Sequence, residues 1–114
     1  MPESFERGAL TEAVFYILLS LHEPMHGYAI MQNIDKLTAG RVVLGAGTLY
    51  GAINALVQKR WIAAVSAEQD SQDSRKKEYV ITEAGRVVFQ GELDRLGELL
   101  RNGKKAGKAG GPKR

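Results

Sequence analysis

The feature that most constrains the fold of this chain is Pro24, which interrupts an otherwise helical N-terminal region. Proline lacks the backbone N–H that a helix interior requires, and it disfavours α geometry in the residue before it, Glu23. Apolar residues recur at helical spacing both before the proline, in residues 10–21, and after it, in residues 27–37. The sequence therefore predicts two short helices with a break at Glu23 and Pro24.

Pro24 also decides how a metal-site motif is interpreted. Residues 22–26, with the sequence HEPMH, match the pattern H-E-x-x-H, in which two histidines on one helix face bind zinc. Because proline costs about 3 kcal/mol in a helix interior, we expect the helix to end before it, and His22 and His26 then no longer share a turn. A zinc hydrolase is therefore a disfavoured alternative, and we expect no enzymatic activity, no metal and no cofactor.

Length and charge narrow the class of protein. A chain of 114 residues is expected to form one compact domain, and the absence of cysteine excludes disulfides and thiolate sites. The longest apolar run, residues 13–19, is far shorter than the roughly 20 residues that span a bilayer. We therefore expect a cytoplasmic protein without membrane contact.

Six of the sixteen basic residues lie in residues 101–114, which leaves ten basic against thirteen acidic residues elsewhere. Affinity for nucleic acid must then come from local clusters and the basic tail, not from an evenly basic surface.

The remaining segments predict a third helix, a hairpin and a fourth helix. The third helix is expected from Gly47 or Thr48 to about Lys59. Two extended segments, residues 61–68 and 76–82, flank a polar loop and predict a β-hairpin. Thr82 is a good N-cap for the last helix. Along that helix apolar residues recur at spacings of four, three and four, which suits packing against another helix: Phe89, Leu93, Leu96 and Leu100.

Three helices, a hairpin and a further helix follow one another in the order of a winged helix-turn-helix. The predicted fold class is mainly α (α+β), with the third helix in the position that enters a DNA major groove and the hairpin as the wing. We divide the chain into an N-terminal arm (1–9), the winged helix-turn-helix domain (10–82), a C-terminal dimerisation helix (83–102) and a disordered basic Gly/Lys tail (103–114).

Three segments resemble the signature segments of PadR-family transcriptional regulators. They are EPMHGYAI at 23–30, GAGTLYGAINAL at 45–56 and RKKEYVITEAGR at 75–86, and the resemblance extends over about residues 10–100. The short single C-terminal helix is similar to that of the smaller subgroup of the family. The resemblance implies a dimeric winged-helix repressor that binds operator DNA, and several members respond to phenolic acids, drugs or similar apolar compounds.

The chain departs from the family pattern at the end of the third helix. Arg60 stands where a glycine commonly ends that helix, and Trp61 replaces a common leucine. If residue 60 adopts a left-handed conformation, arginine makes the helix end less favourable by up to about 1 kcal/mol.

The outer face of the third helix is the predicted DNA-reading surface, because it is polar and carries no acid. Thr48 and Tyr50 in the first turn can bind phosphate, Gly51 permits close approach, and Asn54 can pair with adenine. His26 at the start of the second helix can help to cap that helix or touch a phosphate. The complete predicted DNA-binding set, which includes the basic cluster of the wing, is His26, Tyr28, Thr48, Tyr50, Gly51, Asn54, Gln58, Lys59, Arg75, Lys76 and Lys77.

A second set of residues is predicted to form a dimer interface or to line an effector pocket there. The sequence leaves open whether these side chains fill the interface as ordinary core or enclose a cavity. The set is Phe15, Tyr16, Leu19, Trp61, Phe89, Leu93, Leu96 and Leu100. The expected partners are double-stranded operator DNA, a second copy of the chain and a small apolar or phenolic effector.

The main alternative is a winged-helix adaptor that binds a protein partner on the face of the third helix. The acidic body of the chain favours it mildly, whereas the acid-free helix face and the basic wing disfavour it. DNA binding titrated with salt discriminates between the two, because phosphate contacts weaken steeply as salt rises.

Overall fold

The computed structural model of the chain describes residues 8–65 and 77–110. The described elements are α1 (Glu12–Ser20), β1 (Met25–His26), α2 (Gly27–Leu37), α3 (Ala46–Gln58), β2 (Ile62–Val65), β3 (Glu78–Ile81) and α4 (Glu83–Gly110). The three strands form one antiparallel sheet in the order β1-β3-β2. The predicted fold class, a mainly α winged helix-turn-helix followed by a C-terminal helix, is confirmed.

The core lies where α1, α2 and α3 meet the sheet. Each helix contributes apolar residues at helical spacing, as the sequence predicts, and β2 and β3 add their inward-facing residues. The buried hydrophobic side chains form a single cluster: Ile17, Leu18, Leu21, Ile30, Ile34, Leu49, Ile53, Leu56, Ile62, Tyr79, Ile81 and Phe89. This packing leaves the opposite face of α3 exposed.

The break at Pro24 contains a strand that the sequence analysis missed. Met25 pairs with Tyr79 and His26 pairs with Glu78, so β1 forms a third strand on the free edge of β3. Just before the break, the carbonyl of Leu21 accepts a hydrogen bond from the Ile81 N–H at 2.8 Å. The segment between α1 and α2 is therefore fixed to the return strand of the hairpin.

Thr82 fixes the start of α4 to the end of α3. Its hydroxyl accepts a hydrogen bond from the Gly85 N–H at 3.0 Å, which confirms the predicted N-cap. The same hydroxyl donates to the carbonyl of Arg60 at 2.7 Å, and the Thr82 N–H donates to the carbonyl of Trp61 at 2.9 Å. The last helix thus begins in direct contact with the turn that follows α3.

The end of α4 differs from the prediction. The helix continues to Gly110, so the expected boundary at residue 102 and the expected disorder of residues 103–110 are wrong; residues 111–114 lie outside the described chain. Lys104, Lys105 and Ala106 are good helix formers. Once a helix has been nucleated by packing, each further residue adds a hydrogen bond without a new nucleation cost. This local propagation outweighs the glycines on which the prediction of disorder rested.

Two helices end at a non-glycine residue in the left-handed region. After α2, Ala39 has a φ of 52°, and after α3, Arg60 has a φ of 66°. At the end of α3, the Arg60 N–H bonds to the carbonyl of Val57 and the Trp61 N–H bonds to the carbonyl of Leu56, each at 3.0 Å. These are the paired bonds of a Schellman motif, whose left-handed position glycine usually occupies. The expectation that Arg60 weakens this helix end is consistent with its conformation.

Replacing either residue with glycine is expected to stabilise the protein. Glycine removes the contact between Cβ and the carbonyl that makes a positive φ costly. Part of the gain is offset by the greater freedom of glycine in the unfolded chain. We expect Ala39→Gly and Arg60→Gly each to raise the free energy of unfolding by up to about 1 kcal/mol. Urea denaturation measures this, and a lower unfolding midpoint in both variants would contradict it.

Candidate nucleic-acid interface

The exposed face of α3 presents a row of small and polar side chains. Thr48, Gly51, Asn54 and Gln58 are all exposed and lie three or four residues apart, so they share one face of the helix. Among the described residues, a Cβ at Gly51 would meet no atom within 4 Å beyond its chain neighbours and the adjacent backbone of α3, so that point of the face is open. The structure therefore places these four predicted residues together on a surface that a partner can approach.

The start of α3 is not capped by a side chain. Gly45 occupies the N-cap position and no side-chain hydrogen bond is made there, while Thr48 lies exposed in the first turn. Uncapped N–H groups and the positive end of the helix dipole favour an anion such as a phosphate. This arrangement is compatible with a DNA backbone at the entry of α3.

Acidic residues are absent from the sequence around this face. Residues 36–67 contain no Asp or Glu, and α3 lies in the middle of that stretch. At its C-terminal end lie two exposed cations, Lys59 and Arg60. The Lys59 Nζ lies 5.2 Å from the centroid of the Trp61 ring, a cation–π contact that holds this side chain against its own chain.

Tyr50 has a packing role that the sequence did not indicate. Its ring is half-buried and lies over Gly27, where a Cβ would come within 2.6 Å of Cζ and still closer to the hydroxyl oxygen. Burial raises the pKa of the neighbouring Tyr79, and Tyr50 adds to that shift. Tyr50 therefore packs α3 against the start of α2, which requires glycine at position 27.

Tyr28 and His26, two further predicted DNA-binding residues at the start of α2, differ in how far their side chains are exposed. Tyr28 is 64% exposed in the first turn of α2. His26 occupies the N-cap position of α2, but its side chain makes no capping hydrogen bond, so the suggested capping role is wrong. Its Nδ1 lies instead 3.6 Å from the Oε2 of Glu78 on β3. The imidazole therefore borders the base of the wing.

The wing is described only at its base. Lys77 is exposed next to the first residue of β3. The predicted contacts Arg75 and Lys76 lie outside the described residues, as does the remainder of the loop between β2 and β3. Their part in DNA binding stays a prediction.

The connection between α2 and α3 is held by interactions that the sequence analysis missed. The Thr38 hydroxyl donates to the carbonyl of Ile34 at 2.9 Å and accepts from the Val42 N–H at 3.0 Å. Arg41 donates two hydrogen bonds to Glu12 at 3.1 and 2.6 Å, and these hold the pKa of the Glu12 carboxyl below its usual value. A separation of 29 residues gives no local signal of this pair. The connection sets where α3 begins.

The predicted apolar set divides into buried and exposed parts. Phe15 stacks on Phe89 with ring centroids 4.9 Å apart, and Tyr16 meets the edge of Phe15. Farther along α4, three members of the set are partly uncovered: Leu93, Leu96 and Leu100, which are 40%, 39% and 59% exposed. Trp61 lies at the end of α3, away from these leucines in the chain. The α4 face thus remains available for a second copy.

A cavity of about 260 Å³ lies between α1 and α4, and it includes three of the predicted residues. Its lining consists of Leu10, Glu12, Phe15, Tyr16, Glu92, Arg95 and Leu96. Glu92, which the sequence analysis did not identify, is only 5% exposed and accepts two hydrogen bonds from Arg95, at 2.9 and 2.7 Å, and one from the Leu10 N–H at 3.3 Å. The Arg95 bonds lower the pKa of Glu92. The cavity is therefore aromatic on one side and lined by a paired charge on the other.

The two histidines of the HEPMH motif have separate surroundings. The His22 Nδ1 lies 3.0 Å from the carbonyl of Leu18, and the ring meets the edge of Phe89, whereas His26 lies in β1 beside Glu78. Within residues 8–65 and 77–110, no group of three or more His, Asp or Glu could hold a metal ion. In the same part of the chain, no helix is long and apolar enough to cross a membrane.

Comparison with known proteins gives a consistent result. The model of the transcriptional regulator PadR-like family matches residues 15–91. A PadR family transcriptional regulator from Eggerthella lenta is similar in structure, with a TM-score of 0.65, 25% identity, and coverage of 99% of this chain and 91% of that one. RosR from H. salinarum has a TM-score of 0.59 and 26% sequence identity, and the match covers 82% of this chain and 76% of that one. A transcriptional regulator from Clostridium thermocellum has a TM-score of 0.65 and 20% sequence identity, and the match covers 90% of this chain and 96% of that one. No curated protein matches the chain.

Proposed function

The chain belongs to the PadR-like family of transcriptional regulators, and we propose that it is a cytoplasmic, dimeric repressor that binds pseudo-palindromic operator DNA. In this proposal α3 reads bases in the major groove, and the wing contacts the backbone or the minor groove. A small apolar or phenolic effector releases the DNA. The observation that carries the proposal is the exposed face of α3, which is polar, free of acid and open at Gly51.

The same face suggests how sequence is read. The exposed amide of Asn54 lies in the middle of α3, where it can donate to and accept from the edge of an adenine. Thr48 and the uncapped N–H groups lie at the entry of the helix, where a phosphate fixes its position. Base reading is thus assigned to the middle of α3 and positioning to its start.

Dimerisation is assigned to the uncovered leucines of α4. Leu93, Leu96 and Leu100 lie three and four residues apart and form one apolar stripe. Burying this stripe against a second copy removes apolar surface from water, which stabilises the pair. A two-fold axis then sets the two α3 helices in successive major grooves, roughly 10 bp apart. The effector is assigned to the cavity between α1 and α4, next to this interface.

Selection of bound sequences from random DNA tests the proposal, with and without apolar phenolic compounds. The expected result is a pseudo-palindromic consensus with half-site centres roughly 10 bp apart. Binding without any sequence preference would contradict base reading. Failure to bind DNA at all would instead favour an adaptor that uses the face of α3 for a protein partner.

Replacing Asn54 with alanine is expected to relax specificity at particular base positions. The Asn54 side chain is exposed, so the protein should remain folded. Loss of a bidentate pair costs about 1–3 kcal/mol against the preferred base. Competition binding with single-base variants of the selected site measures this loss. Equal weakening on every sequence would contradict a base-reading role for Asn54.

Replacing Lys77 with alanine is expected to have a different signature. An exposed cation at the base of the wing contacts phosphate, so its removal should weaken binding about equally on all sequences. The plot of log affinity against log salt should become shallower by about 1. Binding isotherms at several salt concentrations measure the slope. A change of base preference with an unchanged slope would refute the phosphate contact.

A further inference from the structure

Arg60 is an arginine at a position where the fold favours glycine. It occupies the left-handed position of the Schellman motif that ends α3, with a φ of 66°. A side chain at such a position is unfavourable because its Cβ crowds the carbonyl. Among the described non-glycine residues, only Ala39 shares a positive φ, and it carries merely a methyl group.

The described fold makes use of the backbone of Arg60 and not of its side chain. Its N–H bonds to Val57 and its carbonyl accepts the Thr82 hydroxyl at 2.7 Å, bonds that any residue could make. The side chain is exposed, and no carboxylate within residues 8–65 and 77–110 forms an ion pair with it. Packing and ion pairing in this part of the chain therefore do not account for an arginine.

The position of Arg60 relative to α3 suggests a use for the guanidinium. It follows the last turn of the helix, directly after Gln58 and Lys59, and it lies within the acid-free stretch of residues 36–67. Lys59 is held against the Trp61 ring. Of the two cations at this end of α3, Lys59 therefore makes the cation–π contact with Trp61, and Arg60 is the one left without such a contact among the described residues.

We propose that Arg60 binds a DNA phosphate next to the groove that α3 enters. A guanidinium matches the geometry of two phosphate oxygens and stays charged at every physiological pH. The proposal rests on the proposed DNA-binding function and adds a backbone contact at the C-terminal end of α3. In this proposal, an arginine at a positive φ lowers the stability of the fold, and its side chain makes a phosphate contact only in the complex with DNA.

Three variants separate the contact from the backbone effect. Arg60→Gly removes both the side chain and the unfavourable φ, and Arg60→Gln removes the charge but keeps a side chain at that φ. Ala39→Gly is the matched control, because it relieves the same conformation at the end of α2 without touching a charge. Each variant is measured by urea denaturation and by binding to the selected operator at several salt concentrations.

The expected result is that stability and affinity move in opposite directions in Arg60→Gly. This variant should unfold at higher urea than the wild type and bind DNA on the order of tenfold more weakly, with a salt slope shallower by about 0.9. Arg60→Gln should show the same loss of affinity without the gain in stability. Ala39→Gly should gain stability and bind like the wild type.

The two proposals fail in distinguishable ways. If the wild type binds its selected operator and both Arg60 variants bind equally well with an unchanged salt slope, the Arg60 contact is overturned while the regulator function stands. If the wild type binds no DNA, the proposed function itself is overturned. A loss of affinity in Ala39→Gly that equals the loss in Arg60→Gly would also overturn the contact, because relief of the backbone alone would then account for it.

Discussion

Replacing Gly85 with alanine is expected to destabilise the fold by about 3 kcal/mol, at the upper end of the usual cost of overpacking. A Cβ at this position would overlap the carbonyl oxygen of Trp61 and lie 2.8 Å from the Cγ1 of Ile81. The carbonyl cannot withdraw easily, because it accepts the Thr82 N–H at 2.9 Å and belongs to the turn that joins α3 to β2. Urea denaturation measures the loss.

Gly91 provides the matched control in the same helix. Among the described residues, a Cβ there meets no atom within 4 Å beyond its chain neighbours and the adjacent backbone of α4, so Gly91→Ala should stabilise α4 by up to about 1 kcal/mol through helix propensity alone. The two substitutions are chemically identical, and they are expected to change stability in opposite directions. Equal effects would show that the close approach of α4 to Trp61 does not constrain the fold.

Replacing Gly51 with glutamate is expected to abolish specific DNA binding while leaving the protein folded. The side chain has open space, and a glycine in a helix interior is about 1 kcal/mol less favourable than a good helix former. The new carboxylate lies on the face assigned to the groove. Like charges brought together across an interface cost several kcal/mol, so affinity should fall by at least about 100-fold. Fluorescence anisotropy with the selected operator measures it.

Gly103→Glu is the control for this substitution. It makes the same change in net charge and in helix propensity, on an exposed turn near the end of α4. We expect it to weaken binding far less than Gly51→Glu does, because it lies outside the reading face. If both variants lost affinity to the same extent, total charge rather than the α3 surface would govern binding.

The elements that the sequence predicted are those specified by neighbouring residues. The proline break and the recurrence of Ile30 and Ile34 define α2, whose predicted range of residues 27–37 agrees with the structure. The hairpin and the cap at Thr82 likewise depend on local composition. The sequence could not reveal β1, because a strand of two residues carries no periodicity and its partners lie more than fifty positions away.

The residues of the candidate site on α3 were likewise predictable only where local helical spacing determines which way they face. Helical spacing alone identifies which residues of α3 face outward, and the structure places Thr48, Gly51 and Asn54 on that face. The same spacing could not show that Tyr50 covers Gly27 or that Arg41 reaches Glu12, since both contacts join distant segments. Long-range packing decides which side chains are occupied by the fold and which stay free for a partner.

The attachment of α4 at Thr82 has a geometric consequence for the proposed dimer. The leucine stripe of α4 lies 11 to 18 residues beyond Thr82, which is about 16–27 Å along the helix, so a tilt of about 10° at the first turn displaces the stripe by roughly 3–5 Å. Thr82 bonds to the backbone at the end of α3, and β3 runs directly into it. Small rotations of α4 at this junction therefore produce larger changes in the distance between the two α3 helices of the proposed dimer. In the proposed dimer, the angle of the turn capped by the Thr82 hydroxyl sets the distance between the two α3 helices, and with it the spacing of the proposed operator half-sites.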